Sequence, residues 1–363
     1  MSLITSQDSE SWRAALPARE RVMGSLEYAR ICERRTGFLA RLFLAEWDGG
    51  RIAYPTLLRP LEALPFAGEA GRGSFDTFTP EYTGPLRLGS RLPGREEAGL
   101  AGAFAELCRD QRIVAEFAHL SPFHGAAEML DPEFVECDRQ IVYVDLSWGL
   151  ERIWSESFTR EARRHALQAA RLGVRVRPAS SPEDVLEFHR LYELTMDRVS
   201  AADRYRFPPE HFLEFFRTMS DHSLFLLAEH QGRAVAGGLY LFDATDVYWH
   251  FSAADLEHSR LRAVNGCQWE AIKWAARAGK RRMLLGGGHA PRDGLLRFKG
   301  AFSPLRMQFR TYRRIHDPER YAALVDAWAA RYGARPEPSR YFPAYRSDPP
   351  AAAEARTSVS QPA

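Results

Sequence analysis

Lysine is almost missing from this chain. Three lysines, Lys273, Lys280 and Lys299, stand against 46 arginines, the two types together numbering 49 among 363 residues. GC-rich coding produces such a bias, so a lysine kept at position 299 carries information. An ammonium is a compact donor with a tunable pKa, whereas a guanidinium is a fixed, permanently charged fork. Cysteine is also scarce. Cys32, Cys108, Cys137 and Cys267 are scattered, with no C-x-x-C and no histidine at ligand spacing. That points away from a disulfide framework or a metal site and predicts buried free thiols in a reducing cytosol. No run of about 18 uncharged apolar residues occurs, which argues against a membrane span. The opening "MSLITSQDSESWRAALPARERV" has no apolar h-region, so a cytoplasmic protein without a secretory signal is expected. A formal charge of +2 does not by itself declare a nucleic-acid binder.

Several reaction classes are missing their signatures. There is no G-x-x-x-x-G-K-[ST], and the glycines of "LLGGGHAPRDGLLRFKGAFSP" (284–304) lack both Rossmann spacing and an opening helix. No Ser–His–Asp or Cys–His constellation, H-E-x-x-H or paired-carboxylate motif is suggested by spacing, so covalent catalysis is not indicated.

What is present is enough chain for two domains and 45% hydrophobic residues to give them cores. "LFLAEWDGGRIA" at 42–53 and "LFLLAEHQGRAVA" at 224–236 both read as strand, Gly turn, strand. Glu46 and Glu229 lie 183 residues apart, Arg51 and Arg233 lie 182 apart, and a duplicated domain would produce this echo. Around the second hairpin the pattern predicts helices at 155–172, from Ser181, at 208–219, 260–278 and 317–332. Strands are expected at 174–178, 223–230, 233–242, 246–252, 281–285 and 305–314. The first half reads as helices near 10–34 and 97–109 and strands at 37–47, 51–59, 111–117 and 138–146, with a long turn-rich insertion between. Helices alternate with strands while hairpins meander in the middle, which makes a mixed α/β sheet rather than a doubly wound one. The expected domains are 1–150 and 151–332, followed by a Pro/Ala-rich, largely disordered tail at 333–363 in which Tyr341, Phe342 and Tyr345 could pack onto the body.

Three stretches carry candidate chemistry. In the glycine loop, a strand ends in permissive backbone, Asp293–Gly294 forms a turn, and Arg297, Phe298 and Lys299 follow. Such a loop serves either a splayed sheet that needs a bend or a ligand that must approach closely. Arg297 and Lys299 would share a side if extended and diverge on a helix. The helix at 155–172 sets Arg160, Arg164 and Arg171 opposite its apolar stripe, with Arg163 at the edge. That face is either simply solvated or a phosphate-binding stripe. "TDVYWHFSAA" alternates, with Val247, Trp249 and Phe251 on one side and Tyr248, His250 and Ser252 on the other, polar enough to line a pocket.

The order of "REARRHALQAARLGVRV", "AEHQGRAVAGGLYLF", "YWHFSAA", "QWEAIKWAARAG" and "GGGHAPRDGLLRFKGAFSP" resembles the FemAB-like transferases, as does "FDTFTPEYTGP" in the first half. The resemblance covers residues 10–332. It implies two GNAT-like domains in tandem and an amide-forming acyltransferase, with acceptor and donor sites in and near the cleft between the domains. In the peptidoglycan branch an aminoacyl group moves from aminoacyl-tRNA to an amine of a nucleotide- or lipid-linked precursor; other relatives act in exopolysaccharide or small-molecule pathways. Carried over, Lys299 would hold donor or intermediate, Arg160, Arg163 and Arg164 would face anionic groups, and Asp76 and Tyr82 would belong to the acceptor side. His250, Asp293 and Asp76 are the candidates for the base. The long charged helical arm of some family members is missing. A GNAT phosphate cradle reads [QR]-x-x-G-x-[GA]; here "RLRAVNGCQWEA" has Asn265 at the glycine position after Arg262, and Gly266 comes one residue late. The expected donor is therefore aminoacyl-tRNA, met through phosphate contacts, with no bound cofactor or metal. Acyl-CoA acting on a sugar or metabolite amine is the alternative, and a non-catalytic glycan- or nucleotide-binding module is a further one.

Overall fold

The computed structural model describes residues 2–90, 94–288, 293–337 and 341–350, and of 94–101 only the backbone. The first stretch of chain runs β1 (Ser2–Thr5), α1 (Ser9–Ala15), α2 (Leu26–Thr36), β2 (Leu39–Trp47) and β3 (Gly50–Pro60). Next come α3 (Gly68–Gly71), β4 (Phe75–Phe78), β5 (Leu86–Gly89), α4 (Gly94–Asp110), β6 (Ile113–His119) and β7 (Val135–Asp145). The middle holds α5 (Leu150–Arg152), α6 (Arg160–Arg171), β8 (Arg175–Pro178), α7 (Pro182–Arg198) and α8 (Pro209–Thr218). After these come β9 (Ser223–His230), β10 (Arg233–Phe242), β11 (Asp246–Ala254), α9 (Ala263–Arg277) and β12 (Arg282–Gly286). Last are α10 (Gly294–Gly300), β13 (Arg306–Ile315) and α11 (Pro318–Tyr332).

Two compact units divide the chain, and each takes non-contiguous segments. Unit 1 contains Met1–Ala15, Cys32–Asp138 and Phe309–Ala363; unit 2 contains Leu16–Ile31 and Arg139–Gln308. Within unit 1 the strands run in the order β1-β2-β3-β4-β6-β13, with β5 paired to β3; within unit 2 the order is β8-β9-β10-β11-β12-β7. Strand directions agree position for position, with β4–β6 and β11–β12 the parallel pairs. The repeat heard in the hairpins is thus a repeat of topology. Both hairpins close in two residues: Trp47 pairs with Gly50, and His230 with Arg233. The second has positive φ at Gln231 (51°) and Gly232 (79°), the type I′ geometry that matches strand twist. The charged echo is looser. Glu46 faces Arg51 across the strands, but Glu229 faces Ala234 and is paired with Arg177 at 2.7 Å.

The predicted helix near 10–34 is two helices, α1 and α2, because Pro17 interrupts it. The turn-rich insertion contributes two short strands, β4 and β5. Cys32, Cys108 and Cys267 are buried as expected, whereas Cys137 is exposed. No helix of the described residues is long and apolar enough to cross a membrane.

In unit 1, α4 covers one sheet face through Phe104 and Cys108 against Phe43, Tyr54 and Leu58. Tyr345 and Trp328 join Leu61, Ala67 and Leu324 in a second cluster. Part of the expected disordered tail is therefore core, while residues 338–340 and 351–363 lie outside the described residues. Asp76 is fully buried between two arginines, accepting from Arg59 Nε at 2.5 Å and Arg346 Nε at 2.6 Å. This carboxylate, expected on the acceptor side, pins the C-terminal segment to the sheet. Removing one partner of a buried ion pair strands the others' charge. Asp76→Asn should lower stability by roughly 3–5 kcal/mol, read from urea unfolding; an unchanged midpoint would contradict this role.

In unit 2, Asp243 is 1% exposed at the β10–β11 turn, and its Oδ1 accepts from Thr245 N and Asp246 N. Burial, with the charge of Asp246 second, pushes its carboxyl up to about 6. A carboxyl that holds its proton more tightly when folded stabilises the fold fully below its unfolded pKa near 4 and loses that contribution as pH rises through the folded value. Melting midpoints should fall between about pH 4 and 6, and Asp243→Asn should flatten that slope. An identical slope in the variant would assign it to other groups.

Candidate functional site

Asp293, Phe298 and Lys299 lie where two parallel strands of unit 2 separate. β11 and β12 pair only at Asp246↔Arg282, Val247↔Met283 and Tyr248↔Leu284. β12 then ends at Gly286 while β11 runs on to Ala254, so from Trp249 onward the strands leave a gap in the ladder. The glycine run follows at this gap, and close approach explains it. A Cβ on Gly287 would lie 3.0 Å from Gln140 O, and one on Gly288 would lie 2.0 Å from Asp293 Oδ1. Gly286 adds a positive φ of 81°. Residues 289–292 of the loop lie outside the described residues.

Asp293 opens α10 as its N-cap, Oδ1 accepting from Leu296 N at 2.7 Å. Because 294–300 is helical, Arg297 and Lys299 diverge. Arg297 is exposed. Lys299 turns back toward the strand end and donates from Nζ to Gly287 O at 2.9 Å. Arg139 donates to the next carbonyl, Gly288 O, also at 2.9 Å. Two cations therefore hold two successive carbonyls, and the loop faces them with oxygens rather than cradling an anion with N–H groups. Phe298 packs edge-on against Phe302 and lies 6.3 Å from the Trp249 ring, which fixes α10 over the gap.

His250 takes a different position. Leu239 pairs with Phe251 and Tyr240 with Trp249, leaving His250 as the extra residue of a β-bulge. The bulge reverses the expected alternation: Trp249 faces the α9–α10 side, whereas Phe251 packs with Tyr192 and Phe212 of α7 and α8. His250 meets the rings of Tyr28 and Phe215. The sheet thus lies between His250 and Lys299. Tyr248 is 2% exposed, and burial raises its phenol well above the usual range, so it belongs to the core rather than to a pocket wall.

α6 begins at Arg160 rather than 155, capped by Thr159, and buries Ala162, His165, Ala166 and Ala169, while Leu172, expected on the same face, is exposed. Its outer face carries Arg160, Arg164, Leu167 and Arg171, all exposed, and with Trp154, Glu161 and Arg163 lines a depression of about 840 Å³. Arg163 is committed to the chain itself, donating to the carbonyls of Trp154, Ser155 and Phe158. Arg160 and Arg171 have no ion-pair or hydrogen-bond partner among the described residues.

The start of α9 shows why the phosphate motif looks broken. A Cβ on Gly266 would lie 3.1 Å from Ala169 Cβ, so that glycine serves the contact of α9 with α6. Arg262 is the N-cap in left-handed conformation (φ 56°) and supplies no side-chain cap to the first turn. His165 stands close by, held below the usual histidine range by burial and then by the charge of Arg262. Sequence reasoning missed Arg139, His165 and the conformation of Arg262, since no motif spacing marks them. In unit 1, Tyr82 also has positive φ (58°), strained for a bulky residue, and is edge-on to Phe309 at 5.4 Å.

A family model described as acetyltransferase (GNAT) domain matches residues 156–299. No curated protein matches the sequence significantly. Among solved structures, FemX superposes with a TM-score of 0.66 at 13% identity, covering 89% of this chain and 99% of that one. A conserved protein of unknown function from Bacteroides thetaiotaomicron VPI-5482 superposes at 0.57, with 13% identity over 86% and 98% of the two chains. The fold is FemX-like, and residues 156–299 form an acyltransferase domain of the GNAT type inside unit 2.

Asp293 serves α10 as a cap, and amide and carboxylate cap alike. Asp293→Asn should retain stability and activity, whereas Asp293→Ala should cost about 0.5–2 kcal/mol. A large rate loss in Asp293→Asn at unchanged melting midpoint would instead give this carboxylate a chemical role.

Proposed function

We propose, from a FemX-like fold with a GNAT acyltransferase domain, that this chain is an N-acyltransferase taking an aminoacyl group from aminoacyl-tRNA to an amine. The observation that carries the reading is Lys299, anchored on Gly287 O beside the gap between β11 and β12. The acceptor amine attacks the ester carbonyl, a C–N bond forms, and negative charge develops on the carbonyl oxygen. A fixed ammonium there stabilises the transition state more than the ground state. Collapse breaks the C–O bond to the ribose; the amine gives up a proton and the departing oxygen takes one. Arg160, Arg164 and Arg171 would meet backbone phosphates, a salt-sensitive contact. Such donors place the reaction in the cytoplasm, with a nucleotide- or lipid-linked amine as acceptor.

A second reading rests on the α9 N-terminus. Its first-turn N–H groups lack a side-chain cap and stand beside Arg262, which suits the pyrophosphate of an acyl-CoA. Thermal melts separate the two, since a ligand at 100 times its Kd adds about 2.7 kcal/mol. Stabilisation by aminoacyl-tRNA that fades with salt supports the first donor; stabilisation by CoA at any salt supports the second. Stabilisation by a glycan with no donor consumed would make the chain a binding module. Lys299→Ala should lower single-turnover transfer of a radiolabelled aminoacyl group by about 10²–10³. Equal turnover in that variant would sink the mechanism.

A further inference from the structure

Under α4, one face of the unit 1 sheet gathers three metal-binding side chains from distant parts of the chain. Cys108 lies on α4, Glu116 on β6, and His316 directly follows β13, its N–H donating to Val114 O at 2.9 Å. The Cys108 Sγ, a Glu116 carboxylate oxygen and a His316 ring nitrogen all lie within 4.8 Å of one another. Glu116 Oε2 meets His316 Nε2 at 2.9 Å, and Tyr54 Oη donates to Glu116 Oε1 at 2.7 Å. Cys108 and Glu116 are 0% exposed and the His316 side chain 1%. No motif announces the set, since His316 comes 200 residues after Glu116.

Without an ion the Cys108 thiol keeps its proton, because burial, and then the charge of Glu116, push it well above the ordinary range. A divalent ion inverts that order and deprotonates a coordinating thiol outright. Thiolate, carboxylate and neutral imidazole carry two negative charges, which the ion cancels, so the loaded ligand set is neutral. No cavity is needed, since the ion takes the place of the thiol proton and of the proton between Glu116 and His316. At metal–ligand bonds of about 2.0–2.3 Å, tetrahedral donors stand roughly 3.4–3.6 Å apart. Glu116 and His316 therefore separate by roughly half an ångström on loading. Nor does the ion cross a finished surface. His316 belongs to the last segment of unit 1, so Cys108 and Glu116 stay open until it closes over them, and the ion is captured as the unit folds. A mixed sulfur, nitrogen and oxygen set suits zinc rather than magnesium or calcium, which take oxygen ligands.

We propose that Cys108, Glu116 and His316 form a structural zinc site, with Tyr54 orienting the carboxylate from outside the ligand set. The site lies in unit 1, whereas Lys299 is in unit 2, and it does not rest on the acyl-transfer reading.

The test measures metal in the full chain after gel filtration, made in cells supplied with zinc or cobalt and purified without chelator. About one zinc per chain should be retained, and prolonged EDTA treatment should lower the melting midpoint by a few degrees. The cobalt form should show a thiolate-to-metal charge-transfer band, which Cys137→Ser leaves intact and Cys108→Ala abolishes. His316→Gln should retain well under one equivalent. If Cys108→Ala fails to fold, X-ray absorption of the zinc-loaded wild type decides, with one sulfur beside nitrogen and oxygen neighbours expected. No retained zinc, a cobalt spectrum without that band, a band that follows Cys137 instead, or a zinc shell without sulfur would each overturn the proposal. No acyl donor is used, so the outcome for Lys299→Ala leaves this one untouched.

Discussion

The parting of β11 and β12 is the constraint from which the rest of unit 2 follows. Three residues of each strand share a parallel ladder, and then the ladder stops. Backbone polar groups cannot be left unsatisfied in a buried sheet, so the ends need other partners. On one side the carbonyls of Gly287 and Gly288 are taken by Lys299 and Arg139. On the other, the bulge at His250 turns β11 so that Trp249 faces α10 while Phe251 joins the rings of α7 and α8. The glycines are a consequence of the same event, because only a backbone without Cβ lets Asp293 lie against Gly288.

The few lysines behave alike. Lys280 Nζ donates to Asp243 O at 2.5 Å, as Lys299 does to Gly287 O, while Lys273 pairs with Glu270 at 2.6 Å. A single carbonyl at a turn offers one acceptor direction, which a compact ammonium meets and a planar fork meets less well. Holding a carbonyl therefore does not distinguish Lys299 from Lys280. What distinguishes it is the place: Lys280 closes a β-turn, and Lys299 stands at the broken ladder.

Much of the fold was legible because it rests on local chemistry. Ser181 and Pro182 announce α7, the Asp48–Gly49 and Gln231–Gly232 turns announce the hairpins, and the apolar spacing of Ala162, Ala166 and Ala169 announces the buried face of α6. The topological repeat was audible in two hairpins because turn geometry is written in two residues. The site was less legible. A bulge shifts phase without a sequence mark, so Phe251 was set on the wrong side of β11, whereas His250 does lie opposite Trp249. Gly266 looked like a displaced phosphate motif, whereas long-range packing against Ala169 accounts for it. Nothing near Asp76 in sequence reveals that Arg346, 270 residues away, holds it.

The interleaving of the two units has a bearing on synthesis. Unit 1 includes residues from 309 onward, and β6 finds its partner β13 only there. A ribosome adding about 5–20 residues per second would release nearly two hundred residues after β6 before that partner emerges. Until then β6 presents an open edge with Phe117 and His119 beside it, the kind of surface that holdase chaperones cover. Unit 2 is complete earlier, since all of its segments lie at or before residue 308. In this chain the domain that begins first would be the one that finishes last.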